Sequence, residues 1–354
     1  MLSVSVICGC KSTLLKHLVT DSKCAVIVNN TDTTASESCR TIDLGCVCCT
    51  ARDDLVDQVS SVCNENKYDH LIIECSEDAD PAEVAVLFGH DEEEFPNGGA
   101  KLDALVTVVD ATSFFENVNK PELFELTIRQ IEYANIIVLS KTDVLNQEQM
   151  SKIHNVLESL NPDSKRINMC DVDTSTVLGT GLYNESSIED NAGWLHALEN
   201  DAAVGNSHPE FGITCYTFRS RKPFDPQSFH DLFYAKHSSA TQFGCIIRSK
   251  GFVWIASNHN GMVEWNQAGD FSSLQVNMPW LVTVPDMWKG SEQEDKILKD
   301  MVEPFGDRRQ EIVFLGQNLN VTELESVLNR CLLTDESFLE GPDAWCSKFT
   351  DPFV

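Results

Sequence analysis

The sequence predicts a doubly wound α/β domain with a parallel sheet, followed by a smaller α+β domain. Three observations predict it. Apolar runs in the first half are short, apolar throughout rather than alternating, and separated by helix-period stretches, as expected for parallel strands covered on both faces. The length of 354 residues exceeds that of a usual single domain and lets each half bury its own core. A stretch rich in Asp, Ser, Thr, Gly and Asn then divides the chain, giving a first domain over 1–170, a linker over 171–210 and a second domain over 211–354.

Taken in order, Ser3 to Ile7 reads as the first strand, and a helix starts near Ser12 with Leu14, Leu15 and Leu18 on its core side. Ala25 to Asn29 is a strand, Asp53 to Asn64 a helix and His70 to Cys75 a strand. Leu102 to Asp110 and Ile136 to Ser140 are strands around a helix over Glu122 to Tyr133. Gln147 to Leu160 closes the domain as a helix, stopped by Asn161-Pro162. In such a sheet the ligand lies beyond the carboxyl ends of the strands, where Lys11, Glu74, Asp110 and Asp143 fall. The polar segment after residue 170 is expected to be connecting chain, partly mobile. Beyond it, strands are expected near Ile213 to Phe218, Cys245 to Ile247, Phe252 to Ala256, Met262 to Trp265 and Ile312 to Leu315, with helices after Pro226 and from Thr322 to Cys331.

A formal charge of -29 repels nucleic acid and anionic membranes, and no basic patch offsets it. No apolar run approaches the roughly 18 to 20 residues that span a bilayer. The first seven residues already read as strand, so a cytoplasmic protein without a targeting extension is expected. Fourteen scattered cysteines suit a reducing compartment better than a disulfide framework. Cys8, Cys24, Cys63, Cys75, Cys170, Cys215, Cys245, Cys331 and Cys346 read as small core residues or inert thiols.

Chemistry concentrates in three places. Gly9-Cys10-Lys11-Ser12-Thr13 joins a strand to a helix start, the arrangement in which backbone N–H groups and a helix N-terminus hold phosphate. Lys11 would meet the β- and γ-phosphates, Ser12 would hold magnesium and Thr13 would lie near the α-phosphate. The full pattern G-x-x-x-x-G-K-[ST] needs four more residues, and Cys10 stands where glycine is required. Glu74 ends an apolar strand, as a magnesium-binding or water-orienting carboxylate would, and pairs with Lys11 as a catalytic candidate.

Ser140-Lys141-Thr142-Asp143 follows another apolar run. Asp143 there can accept from guanine N1–H and N2–H together while the lysine stem covers the base. A base that fails this pairing strands a carboxylate at a cost of roughly 1–3 kcal/mol. The third place is Gly45-Cys46-Val47-Cys48-Cys49-Thr50, three thiols within four positions, suited as thiolates to a soft or borderline metal. Zinc would take two or three sulfurs, with a carboxylate or water completing the set. Glu37, Cys39 and Asp43, upstream in the same loop, are further candidate ligands.

Together these motifs resemble the CobW-type family of P-loop GTPases, a metal-chaperone group related to the nickel-insertion GTPases. The resemblance rests on Gly45 to Leu55, Ile73 to Pro81, Val106 to Ala111, residues 140–143 and Leu160-Asn161-Pro162. In the second half, Lys222-Pro223-Phe224, Arg248 to Trp254 and Gly306 to Phe314 are similar to the CobW C-terminal domain. Cys331 to Asp335 and Asp351 to Phe353 are similar to the members induced by zinc scarcity. On its own, Arg308-Arg309 reads as a surface pair and Trp254 as a core aromatic.

The resemblance implies GTP and Mg2+ as ligands, Zn2+ as cargo with Co2+ or Ni2+ as alternatives, a metal-requiring client protein, and leaves a homodimer open. Departures are the short loop at Gly9 to Lys11 and Asn29-Asn30 where members carry Asn-Glu. Three readings therefore stand: a GTP-hydrolysing metal chaperone, a non-enzymatic metal-binding scaffold with a degenerate P-loop, and an accessory protein inserting cobalt or nickel into one particular enzyme, which differs from the first only in metal and client.

Overall fold

A computed structural model describes residues 2–9, 12–20, 23–28, 39–41, 52–75, 80–88, 99–116, 121–184, 213–233, 240–241, 243–269, 271–291 and 294–353. The chain divides into two compact units, one over Met1–Asn117 and Glu122–His196, the other over Val118–Pro121 and Ala197–Val354.

The first unit runs β1 (Leu2–Gly9), α1 (Ser12–Thr20), β2 (Cys24–Val28), β3 (Cys39–Thr41), α2 (Arg52–Glu65), β4 (His70–Glu74), α3 (Pro81–Val86), β5 (Ala100–Asp110), α4 (Pro121–Tyr133), β6 (Ile136–Ser140), α5 (Gln147–Leu160) and β7 (Lys165–Asn168). Its seven strands are all parallel, in the order β3-β2-β4-β1-β5-β6-β7. Continuous apolar runs form these strands because both faces are covered. Val4, Val6 and Cys8 pack with Leu55, Val59 and Val62 of α2. Ile7 instead joins Leu14, Leu15 and Leu18 of α1.

Local signals set the helix ends. The Asp80 carboxylate accepts from the Ala82 N–H at 3.0 Å and caps α3, with Pro81 in the first turn. Asn146 and Gln149 form a reciprocal capping box on α5. Asn161, which stops α5, is buried, and its Nδ2 donates to the Ile131, Glu132 and Ala134 carbonyls, binding the end of α4 to the end of α5.

The polar segment after residue 170 departs from expectation. Residues 174–177 form a turn of helix, and Val172, Val177 and Leu178 are buried against the face that α1 covers. Asp103, in the middle of β5 and only 6% exposed, accepts from the Thr180 N–H at 3.0 Å and the Gly181 N–H at 2.6 Å. Residues 171–184 are therefore packed on the first unit. Three apolar side chains and one buried carboxylate outweigh the polar composition that suggested connecting chain. Residues 185–210 lie outside the described part.

The second unit contains β8 (Ile213–Ser220), β9 (Ala240–Thr241), β10 (Gly244–Ile255), β11 (Asn258–Ala268), β12 (Phe271–Pro279) and β13 (Gln310–Gln317). These form an antiparallel sheet, β12-β11-β10-β13-β8, with β9 paired to β10. Phe218, Phe224, Phe229, Trp265 and Phe314 pack with Leu324, Val327 and Leu328 of the helix Val321–Cys331. A second aromatic group joins Trp254, Trp280 and Trp345 to Phe305 and Phe338.

Three expectations change here. The runs 245–247 and 252–256 are one strand, β10, which passes β13 so closely that a Cβ on Gly251 would lie 2.0 Å from the Glu311 carbonyl oxygen. β12, an edge strand of mixed pattern, was not legible as a strand. Arg308 is no surface residue: it is 6% exposed, its Nε donating to the His259 carbonyl at 2.8 Å and a terminal nitrogen to the Phe305 carbonyl at 3.0 Å. Trp254 is a core aromatic, as read. Among the described residues no helix is long and apolar enough to cross a membrane.

Candidate functional site

Strand register brings the candidate residues of the first unit to one edge of its sheet. Ile7 of β1 pairs with Glu74 of β4, Gly9 with Val108 of β5, and Asp110 of β5 with Ser140 of β6. Gly9, Glu74, Asp110 and Ser140 thus stand at the carboxyl ends of four adjacent strands. The lateral distance from β4 to β6 is three strand spacings, about 14 Å. Strand order reverses about β1, since β2, β3 and β4 lie to one side of it and β5, β6 and β7 to the other. Such a switch point opens the crevice in which α/β sheets bind ligands.

At the phosphate end, β1 stops at Gly9 and α1 begins at Ser12, so two residues connect strand to helix. Gly9 has φ +81°, and a Cβ there would stand 2.2 Å from the Val108 carbonyl oxygen. Close approach of β1 and β5 therefore accounts for this glycine without a phosphate. Thr13 is exposed on the first turn of α1. Glu74 is 5% exposed at its strand end, where β4 is prolonged by the Cys75 N–H donating to the Ile7 carbonyl at 3.0 Å. An oxygen ligand in that place fits a hard divalent cation such as magnesium.

At the base end, the Ser140 hydroxyl donates to the Val109 carbonyl at 3.2 Å and so ties β6 to β5. Lys141 has left-handed backbone angles, φ 56° and ψ 35°, and opens the 3-10 turn Thr142–Val144. Asp143 is exposed on that turn, free to meet a planar ligand. Lys141 Nζ donates to Asp110 Oδ2 at 2.6 Å, while Asp110 Oδ1 accepts from the Thr112 N–H at 2.9 Å and the Thr112 hydroxyl at 2.6 Å. Burial pushes the Asp110 carboxyl up, but the hydrogen bonds from Lys141 and Thr112 and the Lys141 charge outweigh it and hold it down at about 2. Sequence reasoning placed Asp110 at the strand ends and gave it no role. Its signal was an acidic residue closing the strand beside the one that carries the lysine.

Cys10, Lys11, Glu37, Asp43, Cys46, Cys48 and Cys49 lie outside the described residues, as do the side chains of Ser12 and Cys39. The backbone of Cys39 opens β3, which pairs with β2, so it belongs to a strand rather than to the loop in which it was sought. The nine described cysteines are in no disulfide. Cys8, Cys24, Cys75, Cys215 and Cys331 are buried, whereas Cys170 and Cys346 are exposed and so are not core residues. Burial pushes the Cys215 and Cys331 thiols up to about 11. Among the described residues no group of three or more His, Cys, Asp and Glu could hold a metal.

The family profile described as "CobW/HypB/UreG, nucleotide-binding domain" matches residues 4–168, and that described as "Cobalamin synthesis protein cobW C-terminal domain" matches residues 213–332. The chain is 33% identical over 327 residues to the zinc-regulated GTPase metalloprotein activator 1 of Dictyostelium discoideum, covering 85% of this chain and 67% of that protein. It is 24% identical over 341 residues to a zinc chaperone of Mycobacterium tuberculosis, covering 87% and 77%. The crystal structure of a Zn(II)-bound YjiA GTPase from E. coli aligns at 20% identity with a TM-score of 0.41, over 94% of this chain and 99% of that one. With both halves matched in order, and a relative at 33% identity across most of its length, the chain belongs to the CobW family.

Proposed function

We propose that this protein is a GTP-dependent metal chaperone, with zinc as the metal and a metal-requiring client as its recipient. The observation that carries the reading is the gathering of Gly9, Glu74 and Lys141 with Asp143 at one edge of one parallel sheet. A phosphate end at β4 and β1 and a base end at β6 would then share one sheet edge, with β5 between β1 and β6. Asp143 would select guanine by accepting from two ring donors, with the Lys141 stem across the base. Lys11 would lie against the β- and γ-phosphates and the start of α1 would face them, its dipole favouring negative charge.

Ser12 and Glu74 would hold magnesium, which when bound neutralises charge developing on the phosphates. Catalysis by this chain's own groups is then positioning and charge stabilisation, with Glu74 orienting the attacking water. The Cys46, Cys48 and Cys49 thiolates would carry the metal, and nucleotide state would order or loosen their loop so that hydrolysis releases cargo to the client.

One observation favours the rival reading of a metal-binding scaffold without turnover: only two residues join β1 to α1. So short a connection presents fewer N–H groups to a β-phosphate than the full loop does. The test is zinc retention against a chelating dye, with GTP or a non-hydrolysable GTP analogue present. Under the chaperone reading, zinc leaves faster with GTP than with the analogue, and Glu74→Gln removes the difference. Zinc held equally under both nucleotides, and lost on Cys46→Ser and Cys48→Ser, supports the scaffold.

A further inference from the structure

We propose that Asp110 is a positioning residue for base recognition, holding Lys141 extended so that its stem forms the platform on which a guanine ring lies. The inference rests on the guanine-site reading and adds to it a residue that acts only through the lysine.

Three observations support it. First, the carboxylate is held from both sides. Thr112 donates twice to Oδ1, which fixes the plane of the group and turns Oδ2 toward Lys141 Nζ at 2.6 Å. Second, the Lys141 backbone is held in an uncommon conformation. Its left-handed φ of 56° is one that non-glycine residues rarely adopt, and such conformations persist where the surroundings over-determine them. The Ala111 N–H donating to the Ser140 carbonyl at 3.1 Å holds the two strand ends together beneath the pair. Third, the lysine side chain is 62% exposed while that of Asp110 is 11% exposed. A lysine so exposed would otherwise sample many rotamers, and arranging it when the ligand arrives would cost binding energy. Anchored at its tip by a half-buried acceptor, its methylenes would stay presented to solvent. The pairing also neutralises the ammonium, so the side chain has no cause to turn toward the phosphates.

The test is calorimetric titration of GDP with magnesium into the full chain and into Asp110→Asn, Lys141→Met and the double variant, with thermal unfolding as a folding check. Asp110→Asn is expected to weaken GDP binding about three- to tenfold, the range for one charge-assisted hydrogen bond at a partly exposed site. The double variant is expected to bind like Lys141→Met alone, within a factor of about two. Thr112→Val, which leaves Asp110 in place, is expected to weaken binding in the wild-type background and to have no effect in Lys141→Met. Unchanged affinity in Asp110→Asn, or losses that multiply in the double variant as for a merely structural role, would overturn the inference and leave the guanine site standing. Absence of GDP binding by the unmodified protein would overturn both.

Discussion

Gly9 and Val108 are register partners on adjacent parallel strands, and a Cβ on Gly9 would come within 2.2 Å of the Val108 carbonyl oxygen. Backbone meets backbone there, so no side-chain movement can relieve the contact. Together with the positive φ of 81°, it makes glycine necessary at this strand end whether or not nucleotide binds. Gly9→Ala is expected to lower unfolding free energy by about 2–4 kcal/mol in urea denaturation without ligand. A loss under about 1 kcal/mol would show that β1 and β5 separate more easily than their register implies.

Acid should weaken the second unit through His259. Burial, and then the Arg308 charge, lower the His259 pKa to about 4 from its usual 6.5, against a smaller opposing effect of Asp343. The imidazole packs against Trp254, Phe305 and Trp345, so it folds neutral. Between these two values the unfolded chain binds a proton that the folded chain does not. Its contribution is therefore fully present above the unfolded value and is lost as pH falls from about 6.5 toward 4. Denaturation followed by tryptophan fluorescence should show stability dropping across that window, and His259→Gln should flatten the slope. An unchanged slope would place the acid sensitivity elsewhere.

Thiol chemistry separates packing cysteines from metal ligands. Cys8, Cys24, Cys75, Cys215 and Cys331 are buried, whereas Cys170 and Cys346 are exposed. Alkylation of the native protein at neutral pH, read by peptide mass spectrometry, should modify Cys170 and Cys346 and spare those five. One equivalent of zinc should then protect Cys46, Cys48 and Cys49 selectively. Equal labelling of those three with and without zinc would remove them as the metal site.

The fold was legible wherever burial and pattern agree. Strands covered on both faces, such as Ile136–Ser140, must be continuously apolar, and α5 carries its own start and stop in Asn146 and Asn161. Legibility failed where long-range partners decide. Val177 and Leu178 look like isolated apolar residues in polar chain until the face beside α1 receives them. Asp103 looks out of place in an apolar strand until the N–H groups of Thr180 and Gly181 close on it. Arg308 looks like a surface charge until two carbonyls take its guanidinium. The candidate base end could be proposed from Lys141 and Asp143 because their spacing is local. Asp110 could not, because its meaning comes from register with a strand thirty residues later.

In the proposed function one sheet edge binds guanine nucleotide, and that binding is coupled to metal on the cysteine motif. The most direct test is calorimetric titration of GTP with magnesium into the purified chain, with and without one equivalent of zinc, and with ATP as control. GTP binding that excludes ATP and tightens when zinc is present is the expected result. Stoichiometric zinc capture with no GTP binding under either condition would contradict it.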